Sequence, residues 1–103
     1  MESHSLISAD IIASYAADAA REIDGVNRVV EGARPRHNGV RVTNDDGVVG
    51  LEIHLSVDWG AHLPTVGGAV QSRVADYVGR MTELQVANVD VVVDEIGPPP
   101  EGR

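Results

Sequence analysis

From Val48 to Gly60, hydrophobic and polar positions alternate. Val49, Leu51, Ile53, Leu55, Val57 and Trp59 share one parity; Val48, Gly50, Glu52, His54, Ser56 and Asp58 share the other. A period of two puts successive side chains on opposite faces of a β-strand, so this stretch reads as a strand with one face in a core. At roughly 3.3 Å per residue it would span about 36–40 Å. That is long for a small domain, and the remaining elements are expected to cover it or pair beside it.

Upstream, Ser8 is a fitting N-cap, with Ile7 and Ile12 placed as a hydrophobic staple and Asp10 in the first turn, where the helix dipole favours negative charge. Ile12, Tyr15, Ala16, Ala19 and Ile23 follow helical spacing, and Gly25 is a natural left-handed stop. Gly-Val then opens three extended segments in turn. The first predicts a strand over Val26–Glu31, followed by the polar loop GARPRHN, the segment of the body expected to be most mobile. The second predicts Val40–Thr43. The third begins the long strand, and Asn44-Asp45-Asp46-Gly47 makes the second and third strands an antiparallel hairpin.

Downstream, Pro64 suits a first helical turn, and Val66, Val70, Val74, Tyr77, Val78 and Met81 recur at three- and four-residue spacing to about residue 82. Gly67, Gly68 and Gly79 each cost about 1 kcal/mol of helix propensity relative to Ala, a cost expected to be offset by close packing on a neighbour. Leu84–Ile96 reads as a closing strand running parallel to the long one. The predicted fold class is α+β: a two-layer α/β sandwich in the order α-β-β-β-α-β, with both helices packed on one face of a mixed sheet. Residues 1–7 are expected to form a flexible leader, 8–96 a single domain, and 97–103, GPPPEGR, a disordered proline-rich tail.

Composition narrows the function classes. The 103 residues close one modest core, and with no Phe and only Trp59, Tyr15 and Tyr77 as aromatics, Val, Ile, Leu and Ala must fill it. A net charge of −8 and the absence of Lys disfavour binding to nucleic acid or to anionic lipid. The chain has no Cys, so thiol chemistry and Cys-ligated metals are excluded. The Ala-rich N-terminal stretch lacks a basic flank and is interrupted by Asp10 and Asp18, which rejects a signal peptide, and no run reaches the ~18–20 apolar residues of a membrane span. A soluble, cytoplasmic protein is expected.

If both helices cover one face of the sheet, the other face stays open. It is predicted to carry Arg41, Thr43, Glu52, His54, Ser56, Asp58, Asp90 and Asp94, with Val92 among them. Such a surface is either a solvated face with cross-strand charge pairs such as Arg41 with Glu52, or a protein-contact face. His54, Asp58 and His62 suggest a metal or ligand. However, His54 and Asp58 stand four residues apart on a strand, about 13 Å, too far for one ion to bind both. Ser56 and His54 are roughly 6.6 Å apart along the strand, beyond nucleophile–base reach. Gly67-Gly68 follows no phosphate-binding fingerprint, and Trp59 is expected to plug the rim of the core.

Taken together, the opening helix ISADIIASYAADAAREIDGV, the Gly-Val segments, the long strand GLEIHLSVDWG, the helix LPTVGGAVQSRVADYVGRMTEL and the last strand VANVDVVVDEI resemble the alkaline shock protein family of Gram-positive bacteria, also called the envelope stress response family. The resemblance spans roughly residues 7–96. It implies a non-enzymatic structural or scaffold role in the envelope stress response, with no catalytic residues, cofactor or metal to carry over. The implied partners are copies of the chain itself, as a homo-oligomer, and a small membrane-anchor protein holding it at the inner face of the cell membrane. Long charged extensions and Lys, common in relatives, are absent here, and the Ala-, Val- and Arg-rich composition suggests an actinobacterial source. The competing reading is a small-molecule or metal-ion binding domain, or a weak enzyme, using His54, Asp58 and His62.

Overall fold

A computed structural model describes residues 7–31 and 39–99. The element order is α1 (Ala9–Arg21), β1 (Val26–Val29), β2 (Val40–Asp45), β3 (Val48–Val57), α2 (Leu63–Thr82) and β4 (Gln85–Ile96), the predicted α-β-β-β-α-β. The loop 32–38, expected to be mobile, lies outside the described residues, as do 1–6 of the leader and 100–103 of the tail.

Alternation in β3 has the consequence expected of it. Val49, Leu51, Ile53, Leu55 and Val57 are all at most 1% exposed. Burying an aliphatic side chain of this size contributes roughly 1.5–3 kcal/mol, so this one strand face supplies the largest block of the driving force. Both helices lie on that face and pack against each other. Ile12, Ala13, Ala16, Ala17, Ala19 and Ala20 of α1 join Val66, Val70, Val74 and Val78 of α2 in the same core cluster. The small Ala side chains let α1 lie close to its neighbours. Tyr15 and Tyr77 close the gap between the helices edge to face, their ring centroids 5.8 Å apart. Arg73 reaches across from α2 to bond Glu22 and stands 6.0 Å from the centre of the Tyr77 ring.

The sheet is mixed, and β3 is its centre. β4 runs parallel to β3 along one edge, from Val48↔Gln85 to Val57↔Ile96. The other edge is shared end to end by two antiparallel strands: β2 pairs Val48–Ile53, and β1 pairs Leu55–Val57. His54 sits at the seam between them, its N–H donating to Gly39 O and its C=O accepting from Val30 N–H. The β2–β3 hairpin turns on Asp46 and Gly47, both at positive φ (56° and 89°), as a tight two-residue hairpin requires, and Asn44 Oδ1 accepts from Gly47 N–H at 3.0 Å.

Ser8 caps α1 as expected, its hydroxyl accepting from Ile11 N–H. The helix ends earlier than Gly25: Glu22 and Ile23 tighten the last turn by bonding back three residues, to Ala19 O and Ala20 O. Gly25 then takes φ +97° beneath α2, where a Cβ would stand 2.7 Å from Val66 Cγ2. β1 stops at Val29 and β2 runs on to Asp45, so the two boundaries move in opposite directions from the reading of the sequence.

Two expectations need correction. A Cβ on Gly67 or Gly68 would meet nothing within 4 Å, so no close approach offsets their propensity cost. Trp59 does not plug the core. β3 ends at Val57, Trp59 lies in the turn that follows, with Gly60 at φ +85°, and the indole is 58% exposed.

Two measurements check this architecture. Leu55→Asp places an unpaired carboxylate in the core and is expected to abolish the cooperative melt, because several kcal/mol is a large share of a stability of about 5–15 kcal/mol; a normal melt would refute the face assignment. Gly68→Ala is expected to raise stability by about 0.5–1 kcal/mol in denaturant titrations, since the added methyl finds open space on an exposed helix.

Candidate protein-contact face

The face of the sheet opposite the helices is built rung by rung. Across one rung stand Arg41, Glu52 and Asp90, aligned by the pairings Arg41↔Glu52 and Glu52↔Asp90. Together with Thr43, Gly50, Leu51 and Asn88 they line a shallow depression of about 200 Å³. Gly50 creates the notch, because a Cβ there would lie 2.7 Å from Thr43 Oγ1 and 3.0 Å from Asn88 Oδ1. The expected Arg41–Glu52 ion pair is not among the bonds of the described residues. Glu52 Oε2 instead lies 2.6 Å from His54 Nε2.

His54 stands on the next rung beside Val92 and is held from both sides: Nδ1 is 2.8 Å from Asp94 Oδ2 while Nε2 faces Glu52. An imidazole can donate to both carboxylates only when it carries both protons. The ring is fixed in place and only 16% exposed, with its two carboxylate partners about one-third exposed.

Two bulges shape the third rung. In β4 the pairing steps from Leu55↔Val93 to Ser56↔Glu95, leaving Asp94 as the extra residue; in β1 it steps from Val26↔Val57 to Arg28↔Ser56, leaving Asn27 extra. A bulge turns two neighbouring residues toward one opposing position. Asp94 can therefore bond His54 while Glu95 accepts from Arg28 Nη2 at 2.7 Å, and Asn27 Nδ2 donates to Ser56 Oγ at 3.1 Å. These contacts cover Ser56, which is 1% exposed although it lies on the open side.

Of the eight residues expected on this face, Arg41, Thr43, Glu52 and Asp90 border one depression, and His54 and Asp94 are bonded to each other. Ser56 is buried. Asp58 lies beyond the strand, beside Trp59. Asn27, Arg28 and Glu95 belong to the face but were missed, because strict alternation assigns one residue per rung and a bulge breaks that count. The metal reading finds no assembled site. His54 is bonded to Glu52 and Asp94, His62 Nδ1 pairs with Thr65 Oγ1 at 2.7 Å, and Asp58 borders a different surface. Among the described residues no group of three or more His, Cys, Asp or Glu could hold a metal ion.

The model of the alkaline shock protein 23 family, described by its cell envelope-related function, matches residues 2–98. The chain belongs to that family. Its role is therefore cell envelope-related, and among the described residues no helix is long and apolar enough to cross a membrane. No curated protein matches the sequence. Solved structures with a similar fold include a manganese form of MamM CTD, with TM-score 0.57 and 14% identity over 84% of this chain and 96% of that one. A cadmium form of MamM CTD gives TM-score 0.58 and 14% identity, over 85% and 98% of the two chains. At such identity the likeness concerns the fold alone.

The charge pairs on this face are expected to add little stability. Arg28 and Glu95 are about half exposed (54% and 49%), so a double-mutant cycle with Arg28→Ala and Glu95→Ala should give a coupling of about 0.2–1 kcal/mol that shrinks with added salt. A coupling well above that range, insensitive to salt, would show that the pair is structural.

Proposed function

We propose that this protein is a non-enzymatic scaffold subunit of the cell envelope, working by contact with other protein surfaces: copies of itself and a small membrane-anchor protein. The observation that supports this most is the one-sidedness of the sandwich. The helices and the core lie on one side of β3, and among the described residues no helix covers the other side, whose polar side chains are held in fixed positions by one another. Such preorganised groups lose little conformational freedom on docking, so more of the contact energy is realised as affinity.

The chemistry of the face agrees. Glu52, Asp90, Asp94 and Glu95 are set against Arg28, Arg41 and His54, a mixture suited to directional pairing with another protein. Family membership supplies the cellular setting, the envelope. Through a protein anchor, an acidic chain with no spanning helix among its described residues can still be held at a membrane whose anionic lipids would repel it.

The test is co-sedimentation of the purified chain with native membrane vesicles and with protein-free anionic liposomes, alongside its mass by ultracentrifugation. Binding is expected only to native vesicles and should be lost when they are treated with protease. Replacing Glu52 and Asp90, neighbours on one rung of that face, by Lys is expected to lower vesicle binding or oligomer mass at least several-fold while circular dichroism stays unchanged. Unaltered mass and binding in that variant would overturn the assignment.

A further inference from the structure

A second surface lies at the far end of β3, away from the rungs described above. Trp59, Leu63 and Ile96, exposed to 58%, 39% and 52%, line a cleft of about 340 Å³ with Ala61, Gly60 and Asp58. Three large apolar side chains meeting in one exposed cleft differ from the scattered apolar residues ordinary on a protein surface. The cleft combines an indole wall, aliphatic flanks and an acidic residue.

We propose that this cleft receives the proline-rich segment Gly97–Arg103 of a second copy of the chain. Clefts walled by aromatic side chains bind polyproline II segments, whose preset backbone leaves little entropy to lose. GPPPEGR carries three consecutive prolines and ends on Arg103, a cation for the carboxylate of Asp58, which has no ion pair among the described residues. In the polyproline II form these seven residues extend about 22 Å, enough to cross a cleft of this size.

The segment leaves its own chain beside the same cleft. Ile96 is a wall of it, and Gly97 N–H bonds Val57 O at 2.7 Å. As far as Pro99 it does not turn back into that cleft, since Pro98 and Pro99 are exposed and do not line it; Pro100–Arg103 lie outside the described residues. Consecutive prolines hold φ near −65° and favour an extended run over several residues, which favours a cleft on another copy over a sharp return to the cleft wall from which the segment starts. Two copies can instead exchange segments reciprocally, each filling the other's cleft, a self-complementary arrangement. This contact uses residues separate from the open sheet face and does not depend on it.

Trp59 is the sole tryptophan and reports directly on the cleft. Its emission would be followed across a dilution series, with mass by ultracentrifugation, for the full chain and for a chain ending at Gly97. The full chain is expected to show a blue shift that grows with concentration, together with an approach to twice the mass. The shortened chain should lose both, and the free peptide GPPPEGR should restore the shift in it, saturably. Trp59→Ala in the full chain should lose the segment-dependent rise in mass with circular dichroism unchanged, since the indole is largely exposed. A shift in the full chain that does not vary with concentration would mean that the segment fills its own cleft, and would overturn the proposal. So would equal behaviour of the two chains with no response to the peptide. If the shortened chain still self-associates with Trp59 unmoved, this contact is excluded while association through the open face stands.

Discussion

Every other feature depends on the burial of one face of β3. Five aliphatic side chains at alternate positions are almost wholly removed from water, and each contributes more than any of the polar pairs on the opposite side. A slip of one residue in register would bring Glu52, His54 and Ser56 into the core and expose the aliphatic set, so the register is strongly specified. The two helices are amphipathic covers for that face. The three pairing strands complete the backbone hydrogen bonds of β3 along its length.

The same constraint releases the other face. Because the helices cover the core on one side, the outer side of the sheet can be polar. What stands there is a set of mutually bonded side chains: His54 between Glu52 and Asp94, Arg28 on Glu95, Asn27 on Ser56. Their net contribution to stability is small, but they hold one another in place, which suits a face that meets other proteins. The cell envelope-related function of the family is compatible with a protein that works through such contacts.

Much of this was legible in the sequence because the strongest signals are periodic. The alternation in β3, the helical spacing from Val66 to Val78, the Asp46-Gly47 turn and the Ser8 cap each arise from local geometry that side chains cannot easily violate. The misreadings fall where the period breaks. Asp94 and Asn27 are bulge residues, and nothing in an alternating run of Val and Asp marks where an extra residue enters the ladder. Trp59 fits the parity of the core stripe, but the strand stops two residues earlier, and parity loses its meaning beyond the last paired residue. The expected pairing of Arg41 with Glu52 followed from cross-strand register alone. It did not include His54, two residues along the same strand, whose ring lies closer to the carboxylate. Gly67 and Gly68 suggest close packing only if a neighbour is present, and none is.

The central claim, that the open sheet face is the contact surface, is tested most directly by protection of introduced thiols. The chain has no cysteine, so Thr43→Cys on the open face and Ser72→Cys on the exposed side of α2 each provide a unique probe. Maleimide reaction rates would be compared for the free chain and for the chain bound to native membrane vesicles. A marked loss of reactivity at Thr43→Cys on binding, with little change at Ser72→Cys, is the expected result. Equal reactivity at position 43 in both states, or protection confined to position 72, would contradict the assignment of the open face.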